Sequence, residues 1–279
     1  MRFSLQDFLT QARITAKVKW LKKVLGSAVK AIQTGTLKNR LQGSWKKTAL
    51  FKKTLVVVAH PDDEVLGCGG VIAKFSRGDN FRVVFIAEGS TCRFSTVDSS
   101  EALVAITKRT EAAKRAMNSL SVNEVYFHDL PCGQLDAVPI LSINKIIEKH
   151  IAEFLPNTLI THSSKDANSD HRRVAESALM ATRPGALNRV SNLLSAEIPS
   201  SSEWSFVEVF SPNIFVPLSK EQLDAKTNAL MMYESEVRNY PFPRSERGLL
   251  TLAQYRGMQS ANEFAEAFTL VRAIDNLHG

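Results

Sequence analysis

The sequence predicts an α/β fold: a Rossmann-like three-layer sandwich with a mostly parallel sheet, preceded by a basic helical N-terminal extension. Three observations carry that expectation. Continuous apolar runs rich in β-branched residues recur along the chain, as strands buried on both faces require. Stretches of helical periodicity separate them, which suits right-handed crossovers between parallel neighbours. The polar residues that interrupt the pattern gather directly after two of the strands, at the sheet edge where α/β folds collect ligands.

Residues 1–53 form the extension. They hold 13 Lys/Arg against one acid, Asp7, a balance of +12, whereas residues 54–279 carry 22 against 27, a balance of −5. The whole-chain charge of +7 therefore describes neither part. Ile14, Val18, Leu21, Leu25, Ala28 and Ile32 fall on one stripe of a helical projection, with Lys19, Lys22, Lys23 and Lys30 mostly off it. Such a helix suits an anionic membrane surface, a protein partner, or the chain's own body. The acidic body argues against nucleic acid as a partner.

Residues 54–279 read as one domain. Leu55–Ala59 is the first strand, followed by a helix from about 64 to 75 that stops at Arg77-Gly78. Phe81–Ala87 is the second strand, and residues 101–120 form the next helix. Val125–Phe127, a helix over 140–155 and Thr158–Thr161 continue the alternation, and a helix over 170–182 ends at Arg183-Pro184-Gly185. The remainder is less regular. Strands are expected at Trp204–Phe210, Asn213–Val216 and Phe268–Ala273, and helices at 219–237 and 245–259.

Composition narrows the function classes. At 44% hydrophobic and 23% charged residues, the chain is ordinary globular material and not a disordered or fibrous one. No apolar run reaches the ~20 residues of a membrane span. Three cysteines are too few and too odd in number for a disulfide framework. With no secretory-signal pattern at the N-terminus, a cytoplasmic location is expected, with the arm open to the inner face of a membrane.

Chemistry concentrates in two segments. His60-Pro61-Asp62-Asp63-Glu64 directly follows the first strand and places one imidazole and three carboxylates in five residues. That much negative charge beside a buried strand calls for a cation. Imidazole with carboxylate suits a divalent transition metal, most often zinc. Gly67-Cys68-Gly69-Gly70 then opens the next helix, where glycine costs stability unless something approaches the backbone closely. The second segment, Thr161–Arg172, ends the fourth strand and starts a helix; it carries His162, Asp166, Asn168, Asp170 and His171. Two polar clusters at adjacent strand ends can share one cation. Taken singly, each residue also has a structural reading, as a helix cap or a core histidine.

Other residues stay open between two roles. Arg93, after the second strand, is placed to grip a phosphate or sugar hydroxyl, or is one more surface arginine. Glu197, Glu203 and Trp204 line a sugar pocket or anchor the core. Cys68 and Cys132 read as packing residues, because no activating base neighbours them in sequence.

The run Ala59-His-Pro-Asp-Asp-Glu64 with Gly67-Cys-Gly-Gly70 resembles the signature of the PIG-L/LmbE-like zinc-dependent N-acetylglucosaminyl deacetylases, and Asp170-His171-Arg172 is similar to that family's second motif. Arg109-Thr-Glu111, Glu197–Trp204, Tyr240–Ser245 and Ala265–Phe268 also fit, so the resemblance covers about residues 54–275. It implies His60, Asp63 and His171 as metal ligands for Zn2+ or another divalent transition ion, and Asp62 as general base. It also implies removal of an N-acetyl group from an N-acetylglucosamine-like sugar or conjugate, releasing acetate and a free amine. One common form of the family carries His-x-Asp-His in the second motif, where this chain has Asn168-Ser-Asp170-His171. The proton for the departing amine is therefore open between His162 and Asp166, with His162 the catalytic candidate. Arg93, Asn168 and Asp170 are the candidate substrate-binding residues. The missing histidine also leaves room for a catalytically silent sugar-conjugate binder, and the arm for a membrane or partner adaptor.

Overall fold

The computed structural model describes residues 49–94, 96, 98–185 and 190–274. The amphipathic helix expected within residues 14–32 lies outside them. Seven strands among the described residues make one sheet: β1 (Thr54–Val58), β2 (Phe81–Ala87), β3 (Glu124–Leu130), β4 (Thr158–His162), β5 (Asn192–Ala196), β6 (Ile214–Leu218) and β7 (Phe264–Ala273). Their spatial order is β3-β2-β1-β4-β5-β7-β6. β1 to β5 pair in parallel, and β7 runs antiparallel between β5 and β6. The helices are α1 (Asp63–Phe75), α2 (Ser100–Ser119), α3 (Ile140–Phe154), α4 (Ser169–Ala181), α5 (Lys220–Met231) and α6 (Glu246–Gln259). The predicted α/β class with a mostly parallel sheet is the one observed. Among the described residues no helix is long and apolar enough to cross a membrane.

The first strand shows why both faces had to be apolar. All five residues of β1 are buried, and alternate side chains enter different cores. Val56 and Val58 join Val65, Leu66, Ile72, Met117 and Leu230, the layer of α1, α2 and α5. Leu55, Val57 and Ala59 join Ile143, Ile147, Ile151, Val174 and Ala178, the layer of α3 and α4. The chain moves outward from β1 through β2 to β3, then returns to place β4 on the other side of β1. The β1/β4 boundary is thus the switch point where such sheets open a crevice at their carboxyl ends.

Three elements differ from the sequence expectation. Trp204–Phe210 is not a strand; after a short 3-10 turn (Ser202–Trp204) it runs irregularly, with Phe206 and Val207 84% and 95% exposed. Its apolar alternation has no neighbouring strand to pair with. The strand beside β4 is instead the short Asn192–Ala196. The helix expected over 219–237 stops at Met231, because Tyr233 turns into the core with its hydroxyl 2.5 Å from Glu64.

The glycine run opening α1 answers to the chain itself. Helical geometry breaks at Cys68, where φ is −147°. The restarted helix is capped by Glu266 of β7, which accepts from Gly70 N at 2.7 Å and Val71 N at 2.6 Å. Lys226 of α5 closes the arrangement, donating to Leu66 O at 2.8 Å and Glu266 at 2.6 Å. A Cβ at Gly70 would strike Leu218 and the Glu266 carboxyl group.

Candidate metal centre

His60 and Asp63 leave β1, and His171 rises from the first turn of α4 behind β4, so the switch point brings the two sequence clusters together. Asp63 Oδ2 lies 3.5 Å from His60 Nδ1 and 3.3 Å from His171 Nε2. The far nitrogen of each ring meets a carboxylate. His60 Nε2 is 2.9 Å from Asp170 Oδ2, and His171 Nδ1 is 3.1 Å from Asp166 Oδ1. Each carboxylate fixes the tautomer that leaves a lone pair facing Asp63, the arrangement that metal-binding histidines use. Asp63 Oδ1 and His171 Nε2, though buried, make no hydrogen bond to the described residues. Orphaned buried donor and acceptor atoms at one point, with imidazole and carboxylate chemistry, fit a divalent cation held by His60, Asp63 and His171.

The electrostatics agree with that fit. Burial opposes a charged His171 ring, yet Asp63 and Asp166 outweigh it and push the imidazole up to about 10. His60 moves upward as well, burial again being outweighed by Asp170 and Asp63. Asp63 is held well below the usual carboxylate range despite its burial, chiefly by His171. The pocket therefore favours positive charge where the two rings meet.

The pentad divides its three carboxylates among different partners. Only Asp63 faces the histidines. Asp62 is clamped by Arg109 (3.1 Å to Oδ1) and Arg244 (2.5 Å to Oδ2). Its φ of 119° is rare for a residue with a side chain, and the clamp holds it there with the Glu64 bond to its own N–H at 2.9 Å. Glu64 turns away to Tyr233, and burial pushes its carboxyl up to about 8. The same arginines reach Glu236, which Arg93 also grips through two 2.7 Å bonds. Burial opposes its charge, but these guanidinium groups, Arg93 first, bring Glu236 down to about 2.

The remaining candidates take supporting positions. His162 is fully buried; its Nε2 accepts from Ala59 N at 2.7 Å, and its ring stacks on His171 at 4.0 Å. Burial and the His171 charge bring it down to about 3, so the ring stays neutral. Asp166 accepts from His171, Asn168 N, Ser201 Oγ and Ser202 Oγ. Asn168 caps α4 by accepting from Asp170 N at 2.9 Å. Asp170 is fully buried and takes Gly133 N at 2.6 Å and Leu135 N at 3.0 Å besides His60. Glu197 pairs with Arg256 and, with Glu203, Tyr240 and Tyr255, lines a separate cavity of about 280 Å³. Trp204 lies half-exposed against Phe242.

Sequence reasoning did not single out Arg244, Glu236 or Tyr233. Arg244 falls in the stretch Tyr240–Ser245 that matched the family pattern, which was its only signal. Glu236 and Tyr233 carried none.

A His–Asp–His donor set at the switch point of a mostly parallel α/β sheet is an arrangement able to hold a divalent cation, here beside an arginine-clamped carboxylate. Residues 55–182 match the model of the PIG-L family, described as GlcNAc-PI de-N-acetylase. The chain is 26% identical over 230 residues to a diacetylchitobiose deacetylase of Thermococcus kodakarensis, covering 80% of this chain and 84% of that one. Among solved structures it is similar to the N,N'-diacetylchitobiose deacetylase of Pyrococcus horikoshii, with a TM-score of 0.64, 19% identity, and coverage of 87% and 92%. It is also similar to a 4-carboxy-2-hydroxymuconate hydratase of Pseudomonas putida KT2440, with a TM-score of 0.58, 23% identity, and coverage of 81% and 99%. These two structural likenesses establish the fold.

Proposed function

We propose that this protein is a metal-dependent hydrolase that removes the N-acetyl group from an N-acetylglucosamine-like sugar or sugar conjugate. The observation that carries the reading is the convergence of two carboxylate-backed histidines on Asp63, with Asp62 as its neighbour in the chain. The match to the PIG-L family model and the diacetylchitobiose deacetylase relative support the N-acetyl sugar as substrate class.

A zinc or similar divalent ion held by His60, Asp63 and His171 supplies Lewis-acid polarisation of an amide carbonyl and acidifies water. The chain's own residues do the rest. Asp62 accepts the proton of the attacking water. Each of its oxygens holds one guanidinium bond and keeps a second acceptor site. Arg109 and Arg244 keep the carboxylate oriented for that transfer. His162 and Asp166, the candidates for protonating the amine, are committed elsewhere: His162 supports His171 from below, and Asp166 is filled by four donors. We therefore assign the returning proton to Asp62 itself, acting first as base and then as acid. Asp170 and Asn168 act through the histidines and the helix cap, and Arg93 at the rim acts through Glu236.

Residues 54–279 form the catalytic domain in this reading, and residues 1–53 a basic arm for a membrane surface or partner. The decisive experiment screens N-acetylated sugar conjugates for released primary amine, with and without chelator. Chelator-sensitive release that Asp62→Asn abolishes while zinc content is retained is the expected result. Full activity of Asp62→Asn on an identified substrate overturns the assignment. Asn168 in place of a family histidine favours a second reading, a silent sugar-conjugate binder. That reading requires ligand binding with no turnover across the screen.

A further inference from the structure

We propose that Cys92 and Cys132 form a reversible disulfide, an oxidant-sensitive modification site on the rim of the candidate metal centre. Their sulfur atoms are 3.0 Å apart, although the residues lie 40 positions apart on the loops after β2 and β3. Closing to the ~2.05 Å of a disulfide needs about 1 Å of movement. Cys92 is exposed and Cys132 is buried. One thiol can therefore meet a dissolved oxidant, and the other stands behind it to resolve the product.

Two independent features build this juxtaposition. The first is Glu88, a buried carboxylate that holds both loops at once. Its Oε2 accepts from Ser90 N at 2.6 Å and Thr91 N at 3.0 Å, and its Oε1 accepts from Cys132 N at 2.8 Å. The second is Gly133, at φ +74°, where a Cβ would press to 3.0 Å from the Cys92 Cβ. A glycine at this turn lets the backbone of one loop sit directly against the side chain of the other. The third cysteine is set apart: Cys68 is buried in the core, and its thiol donates to Glu64 O at 3.2 Å.

With hydrogen peroxide as oxidant the step balances. The Cys92 thiolate attacks one peroxide oxygen, the O–O bond breaks, and Cys92 becomes a sulfenic acid as hydroxide leaves and takes up a proton. Cys132 sulfur then attacks the Cys92 sulfur, the S–O bond breaks, and the departing hydroxyl leaves as water with the Cys132 proton. Two thiols and one peroxide give one disulfide and two waters. The bond ties the loop of Arg93, which grips Glu236, to the Cys132–Gly133 peptide, whose Gly133 N–H holds Asp170 behind His60.

The test treats the full chain with a small excess of hydrogen peroxide, quenches, denatures and alkylates. Free thiols are expected to fall from three to one, with a mass about 2 Da lower, a single cross-linked Cys92–Cys132 peptide, and full recovery with dithiothreitol. Cys92→Ser is expected to keep both remaining thiols. Cys132→Ser is expected to stop at a sulfenic acid on Cys92 that dimedone traps. Retention of three thiols, pairing through Cys68, or links only between molecules overturns the proposal. Should Cys132→Ser fail to fold, the exposed Cys92→Ser variant still decides it. Thiol count and peptide mass need no substrate, so the outcome stands apart from the deacetylase reading.

Discussion

Replacing Asp166 by asparagine separates a carboxylate that tunes a metal ligand from one that fills the core. Three donors converge on its Oδ1: His171 Nδ1 at 3.1 Å, Asn168 N at 2.9 Å and Ser201 Oγ. Oδ2 takes Ser202 Oγ alone, at 2.7 Å. An amide with its nitrogen at the Oδ2 position keeps the first three bonds, and the Ser202 hydroxyl rotates to accept the fourth. The fold is thereby preserved while the negative charge behind His171 is lost. Outer-shell changes of this kind cost about 10- to 100-fold in metal affinity, which is about 1.4–2.7 kcal/mol. The Asn variant is expected near the lower figure. Alanine leaves two hydroxyls, a backbone N–H and the imidazole without their acceptor, so it is expected near the upper figure with a stability loss of about 3–5 kcal/mol. Competitive zinc titration against a chromophoric chelator, with urea unfolding of the metal-free proteins, measures both quantities. Zinc affinity of Asp166→Asn within twofold of the parent would refute the tuning role. Equal stability losses for the two variants would refute the hydrogen-bond assignment.

Other expectations follow from the same geometry. Gly70→Ala is expected to cost about 1–3 kcal/mol, because its methyl group enters space held by Leu218 and Glu266; an unchanged melting temperature would show that the β7 contact yields freely. Glu236→Gln is expected to cost about 3 kcal/mol at pH 7, since it strips the buried Arg109 of a partner. The folded Glu236 titrates near 2, below its ordinary range near 4.5, so its contribution is complete above about 4.5 and is lost as pH falls from there towards 2. Urea midpoints of parent and variant should therefore converge over that interval, and a gap that stays constant would contradict the pairing. Adding zinc to chelator-stripped protein is expected to raise stability by about 2.7 kcal/mol at 100 times the dissociation constant, and calorimetry showing no shift would argue against the centre.

The strands that enclose the site were legible because burial on both faces leaves an unbroken apolar signal, as in Leu55–Ala59 and Phe81–Ala87. Asn192–Ala196 was not, being short and bounded by polar residues. Trp204–Phe210 imitated a strand, since alternation predicts pairing only where a neighbour exists. That the two polar clusters share one edge was legible for a different reason, since strand ends at a switch point are neighbours by topology. The family resemblance, not the spacing, singled out His60, Asp63 and His171 within them. The partners of the other two carboxylates were not legible, because pairing depends on side-chain direction across distant loops. Arg244 lies 182 residues from Asp62, and Tyr233 lies 169 from Glu64. Nothing in local spacing records either contact.

Charge balance explains why the pentad tolerates three acids. Arg93, Arg109 and Arg244 face Asp62 and Glu236, leaving that side at +1. Burial pushes Glu64 up to about 8, which favours its neutral form and leaves it outside this balance. Around His60 and His171 stand Asp63, Asp166 and Asp170, a field of −3 with both rings neutral. A divalent cation reduces that side to −1, and the two sides then cancel. Without one, the same field draws protons onto the two imidazoles, which is why both move upward. Zinc entry must therefore expel protons, since a ligating nitrogen cannot keep one. Titration of the metal-free protein in buffers of different ionisation enthalpy is expected to show between one and two protons released per zinc near neutral pH. The release should shrink for His171→Ala. Zinc binding with no buffer dependence would place the ion on ligands other than His60, Asp63 and His171.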